Sequence, residues 1–203
     1  MMKKISGFTL VELLIVIALL AAIALIVIAA INPIEQANRA RDTQFNSDSG
    51  QLVSAIERRF ASQNQFPWTK VVPATYPNAD TAFPFTSASA QVVGVCGATC
   101  TVDGVLIADQ ELKTEFRNRT FIKATAAQVN DQVLVGKAQG SGASVYACYV
   151  PLSTATRQKA CAESRVYVIA PGALTRGAFV APATCAAAAY NWTTSNSRVC
   201  LPQ

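Results

Sequence analysis

Nineteen consecutive residues, Leu13 to Ile31, carry no polar side chain. No other feature of the 203-residue chain constrains its fold as much. A bilayer core of about 30 Å needs about 20 apolar residues in a helix. Counted from Phe8, the run to Ile31 has 24 residues, or about 36 Å at about 1.5 Å per residue. The apolar core of an ordinary secretory signal peptide is shorter, about 7–15 residues, with small residues for cleavage directly after it. Here Ala29 and Ala30 stand only at the far end of a much longer run. The sequence therefore predicts a membrane-spanning helix at 8–31. One carboxylate, Glu12, lies inside it near the start. A charge within a span is expensive and marks function. A plain anchor explains the length of the run but not Glu12, which has no evident partner within its own span.

Charge sets the orientation. Lys3 and Lys4 precede the span, so the amino terminus stays cytoplasmic and everything beyond Ile31 is outside. The six cysteines agree. Their number is even, the spacing is not that of a CxxC metal site, and disulfides persist in oxidising compartments. The formal net charge of +5 falls to about +3 without Lys3 and Lys4 and forms no dense cluster, so DNA as a partner is possible but unsupported. There is no histidine. That excludes Ser-His-Asp and Cys-His nucleophile systems and His-ligated metals. No GxGxxG, P-loop or HExxH pattern appears. No catalytic residue, cofactor or metal site is expected, and the chain does not read as an enzyme.

Beyond the span, Asn32-Pro33-Ile34-Glu35 is a helix start, with Asn32 as cap and Pro33 at the first helical position. Ile34, Ala37, Phe45, Leu52, Ile56 and Phe60 recur at roughly helical spacing, so an amphipathic helix runs from 33 to about 62. Pro67, Pro73, Pro77 and Pro84 punctuate an extended stretch. Val105–Ile107 reads as a short strand, and Leu112 and Phe116 place a short helix near Ala108–Asn118. Gln132–Val135 and Ser144–Val150 flank a glycine-rich hairpin loop, Lys137–Ala143, and Arg165–Ala170 alternates as a third strand. Cys96 and Cys100 are close enough for a local disulfide. Cys148 lies in the second of these strands and Cys161 just before the third, so a hairpin there would join them. Asn118-Arg-Thr120 and Asn191-Trp-Thr193 fit the N-glycosylation pattern, which is short enough to recur by chance.

The junction Lys3-Lys4…Gly7-Phe8-Thr9-Leu10-Val11-Glu12, followed by the aliphatic run, resembles the prepilin signal of bacterial type IV pilins and pseudopilins. The resemblance covers about the first 40 residues. It implies a leader, 1–7, cut by a prepilin peptidase between Gly7 and Phe8. It also implies methylation of the new Phe8 amine and a role for Glu12 in filament assembly, paired with the Phe8 amine of a neighbour. Cys185 and Cys200 resemble the disulfide-bounded loop near the carboxyl end of many type IV pilins. Six cysteines permit 15 connectivities. The sequential set Cys96–Cys100, Cys148–Cys161 and Cys185–Cys200 is the expectation.

The expected architecture is α+β: a long amino-terminal helix, membrane-embedded over 8–31 and amphipathic over 33–62, packed on an antiparallel, disulfide-stapled head, 63–203. The resemblance implies a structural subunit, inserted in the cytoplasmic membrane as a precursor and assembled into an extracellular or cell-envelope filament. Its implied partners are further copies, other pilins, the prepilin peptidase, an assembly ATPase and a platform membrane protein. A tip-binding minor subunit for DNA or surface adhesion, and a pseudopilin of a type II secretion system, stand as alternatives.

Overall fold

The computed structural model describes residues 7–30 and 32–202. The chain divides into two compact units, Met1–Ala37 and Asn38–Gln203. The first holds helix α1, Leu10–Ala30, and the start of α2, Pro33–Gln63. Asn32 caps α2 as expected: its Oδ1 accepts from the Glu35 N–H at 3.1 Å.

In the second unit, α2 from Asn38 onward lays Phe45, Leu52, Val53 and Ile56 on one face of a five-stranded antiparallel sheet. The helices α3 (Pro67–Val71), α4 (Val105–Ala108), α5 (Thr120–Lys123), α6 (Thr154–Ala162) and α7 (Pro182–Cys185) are short. The strands are β1 (Phe83–Ser87), β2 (Val133–Lys137), β3 (Val145–Tyr149), β4 (Val166–Val168) and β5 (Ser197–Leu201), in the order β1-β2-β3-β5-β4. Val105–Ala108 is helical rather than a strand. The helix expected near Ala108–Asn118 is reduced to a 3-10 turn at Thr114–Asn118.

Alternation along the strands sorts side chains between two cores. Val133, Val135, Val145, Ala147 and Tyr149 face α2. Leu134, Cys148 and Cys200 face the other way, with Phe85 and Ile169. Phe83 and Phe85 have the same parity yet enter opposite cores, because a register shift between Phe83 and Thr86 turns the strand over. On the α2 side, four rings stack almost parallel: Phe60 on Phe66 at 4.3 Å, Phe66 on Trp68 at 4.7 Å, and Trp68 on Phe83 at 4.2 Å.

Buried hydrogen bonds and an ion pair fix this part of α2 to the head. The Asp42 carboxylate accepts from the Leu152 and Ser153 amides at 2.9–3.0 Å. Arg59, fully buried, meets Asp109 at 2.7 Å and also donates to the Gln65 carbonyl and, at 3.0 Å, to Gln63. Burial pushes the Asp109 carboxyl up, but its bond to Arg59 and the charges of Arg59 and Lys70 outweigh this and hold it below the ordinary carboxylate range.

One segment, 169–180, closes the second face. At one end Gly172 N donates to Phe85 O at 2.7 Å and Phe85 N to Ala173 O at 2.8 Å, along the free edge of β1. At the other, Gly177 N donates to Val168 O at 3.0 Å and Val180 N to Val166 O at 2.9 Å, along the free edge of β4. From Ala173 to Gly177 the chain reaches at most about 14 Å. Across a flat five-stranded sheet these flanking positions would stand about 29 Å apart at about 4.8 Å per strand. The sheet is therefore curled around the Phe85–Leu134–Cys148–Ile169–Cys200 core, and the segment straps its two edges. Arg176 on the strap lies over the rings of Tyr146 and Tyr167, at 4.0 and 4.5 Å.

The disulfides are Cys96–Cys100, Cys148–Cys200 and Cys161–Cys185. The sequential pairing of the last four cysteines is thus corrected. Strand β5 inserts between β3 and β4, so no β3–β4 hairpin exists, and Cys200 stands directly opposite Cys148 across the β3–β5 pair. Cys161 on α6 and Cys185 on α7 meet instead in a third cluster, around Trp192, Val166 and Val199.

Candidate functional site

The residues singled out for function converge at the start of α1. Gly7, Phe8 and Thr9 precede the helix, and Phe8 is 82% exposed. The Glu12 carboxylate accepts at Oε2 from the Thr9 N–H and from the Thr9 hydroxyl, both at 2.9 Å, and the Glu12 N–H donates to Thr9 Oγ1 at 3.2 Å. This reciprocal Thr-x-x-Glu arrangement is a capping box, which satisfies backbone donors that a helix start otherwise leaves open. It corrects the expectation that Glu12 has no partner within its own span. The signal was present in the sequence as Thr9-Leu-Val-Glu12 before an apolar run. Both bonds fall on Oε2, and none falls on Oε1 among the described residues.

Among the described residues, a methyl group placed on Gly7 would meet nothing within 4 Å. The described residues thus set no steric demand for glycine at that position. Lys3 and Lys4, which carry the orientation argument, lie outside the described residues, as does Ile31.

From Leu10 to Ile28, 19 residues form a helix long and apolar enough to cross a membrane, with none of the span buried. Its length is about 28 Å, close to the hydrocarbon thickness. Exposed leucines, isoleucines and valines lie on every side of it. A helix apolar all round is stable only in lipid or in a core supplied by other elements.

The head offers no comparable constellation. Among the described residues, no group of three His, Cys, Asp or Glu side chains is placed to hold a metal ion. Arg117, Arg119 and Lys123 do not form one basic face. Arg117 pairs with Asp103 at 3.0 Å and lines a hollow with Lys123, while Arg119 pairs with Asp48 at 3.5 Å and lines a different one.

Residues 2–28 match the prokaryotic N-terminal methylation motif, which is the type IV pilin, or prepilin, signal. No curated protein and no solved structure matches the chain. The matched motif and the exposed apolar helix agree with membrane anchoring and with a pilin-like or pseudopilin protein. The motif points to a structural protein rather than an enzyme.

Proposed function

We propose that the chain is a structural subunit of a type IV pilus-like filament, made as a membrane-inserted precursor and polymerised through its amino-terminal helix. The observation that carries this reading is the start of α1. A carboxylate sits there on an all-round apolar helix, with one oxygen committed to Thr9 and the other without a partner among the described residues. Cleavage after Gly7 creates an amine on Phe8, one turn from Glu12. In a neighbour shifted along the helix axis, that amine meets the second oxygen, and two charges that are each costly in apolar surroundings neutralise one another. Glu12 then sets the stagger between subunits.

The apolar surface of α1 is covered by lipid before assembly and by α1 of other copies afterwards. The contact is head-to-tail and does not close, so it propagates. Prepilin peptidase acts at Gly7–Phe8 and the Phe8 amine is methylated, while assembly ATPase and platform protein move the subunit out of the membrane. That no described residue crowds Gly7 supports recognition, rather than folding, as the reason for glycine there. Mass spectrometry of the mature chain tests the reading. The expected amino terminus is N-methylphenylalanine at position 8, and intact Met1 or a cut beyond Ala29 would overturn it.

A further inference from the structure

The hairpin 95–104 is closed twice. Its backbone closes it first: Gly97 N donates to Val102 O at 2.8 Å and Gly104 N to Val95 O at 3.0 Å, with Val102 N to Thr99 O at 3.0 Å across the turn. Cys96 and Asp103 face one another as an antiparallel bridge. The Cys96–Cys100 disulfide then closes the same loop at a sequence separation of 4. Of the three disulfides it spans the shortest loop, so its entropic contribution to the fold is the smallest.

The same bond differs from the others in exposure. Cys148, Cys161, Cys185 and Cys200 are all buried. Cys96 is buried as well, but Cys100 is exposed. It lines a hollow of about 520 Å³ with Thr101, Arg117, Asn118 and Lys123. That lining has two cations and no carboxylate. Arg117 is engaged by Asp103 at 3.0 Å and by the Cys100 carbonyl at 3.2 Å. Lys123 is exposed and has no ion-pair partner among the described residues. An exposed disulfide that adds little to the fold is of the labile kind, and a nearby cation draws in an anionic reactant.

We propose that Cys100 is a site of reversible S-thiolation by a small anionic thiol. The incoming thiolate attacks Cys100 Sγ, because Cys96 is covered. A new S–S bond forms to Cys100 as the Cys96–Cys100 bond breaks. Cys96 leaves with the electron pair of that bond and takes a proton from water, so Cys96 is reduced and the incoming sulfur oxidised. Lys123 holds the anionic group of the thiol, and the backbone bonds keep the hairpin folded while the adduct is in place. Attack by Cys96 on Cys100 reverses the step. This reading needs only a folded head and is independent of filament assembly.

The test uses the full chain in detergent at low ionic strength. The probe is 2-mercaptoethanesulfonate, and 2-mercaptoethanol, a thiol of similar acidity, is its uncharged counterpart. Acid quenching, alkylation and peptide mapping follow each cysteine. The adduct should form on Cys100 while Cys148, Cys161, Cys185 and Cys200 stay paired. The sulfonate should react about 3 times faster than the alcohol, the factor that one cation at about 6 Å in water gives. Lys123→Gln, which disturbs no packing, should bring that ratio close to 1, as should about 1 M salt. No adduct on Cys100, opening of the buried pairs at the same rate, equal rates with the two thiols, or a ratio that survives Lys123→Gln would overturn the site.

Discussion

Replacing Cys148 and Cys200 together by alanine should destabilise the head by an amount that depends on the nesting of the disulfides. Cys161–Cys185 spans 24 residues inside the 52 spanned by Cys148–Cys200. With the inner bond intact, opening the outer one releases a loop shortened by the inner one, about 28 residues. The chain-entropy relation gives about 3.6 kcal/mol for that loop, while opening the inner bond with the outer one intact costs about 2.9 kcal/mol, because the 52-residue ring that remains still holds about 4.1 of the roughly 7 kcal/mol of the two bonds together. The outer-pair variant should therefore lose about 0.7 kcal/mol more than the inner-pair variant. For a chain of this size the losses correspond to about 6–14 °C in Tm. Removing all four cysteines should cost about 7 kcal/mol, within the range of whole-domain stability, about 5–15 kcal/mol. Tryptophan fluorescence is the natural assay. Trp68 reports on the α2 side of the sheet and Trp192 on the α6–α7 cluster. An outer-pair variant that melts within about 3 °C of wild type, with Cys161–Cys185 verified by non-reducing peptide mapping, would refute the loop argument. A map showing Cys148–Cys161 would refute the pairing itself.

Glu12→Gln retains an amide oxygen for Thr9 and loses the charge, whereas Glu12→Ala loses both. If Glu12 pairs with a neighbouring amine, both variants are inserted and processed but yield few sheared filaments per membrane subunit, and a wild-type yield from Glu12→Gln would leave capping as its whole role. The Asp109 carboxyl is depressed in the folded chain, so its contribution is present above the ordinary value near 3.8 and is lost as pH falls from there through the folded pKa. Asp109→Asn should remove that loss from an acid unfolding curve. It should also lower stability at neutral pH by roughly 2–3 kcal/mol, less than full orphaning of a buried charge because Gln63 and Gln65 still hold Arg59.

Much of the architecture was readable where periodicity is strong. The span, the α2 stripe through Phe45, Leu52 and Ile56, and the β2–β3 hairpin around its glycine-rich loop all follow from local pattern. Strand β5 did not. Ser197-Arg198-Val199-Cys200 has few of the residues that mark a strand. Its place between β3 and β4 depends on a pairing across the sheet that no local signal encodes. Missing it led directly to the wrong partners for Cys148 and Cys200. Strand β1 was obscured by Pro84, which reads as a loop marker and in fact sits where the strand shifts register. The Thr9–Glu12 cap is legible in the sequence, as Thr-x-x-Glu ahead of an apolar run. Arg59 with Asp109, fifty residues apart in sequence, had no local signal at all.

A sheet of five strands has two margins, and each exposes backbone groups on which another chain can grow as an extra strand. In this head one short segment occupies both, with Gly172–Ala173 along one margin and Gly177–Val180 along the other. Copies crowded side by side on a surface therefore find no open ladder to extend. Aggregation through strand addition, the usual hazard of concentrating a sheet-rich domain, is blocked by the same residues that hold the curl together. In the proposed filament, contact between copies would then fall to the helix.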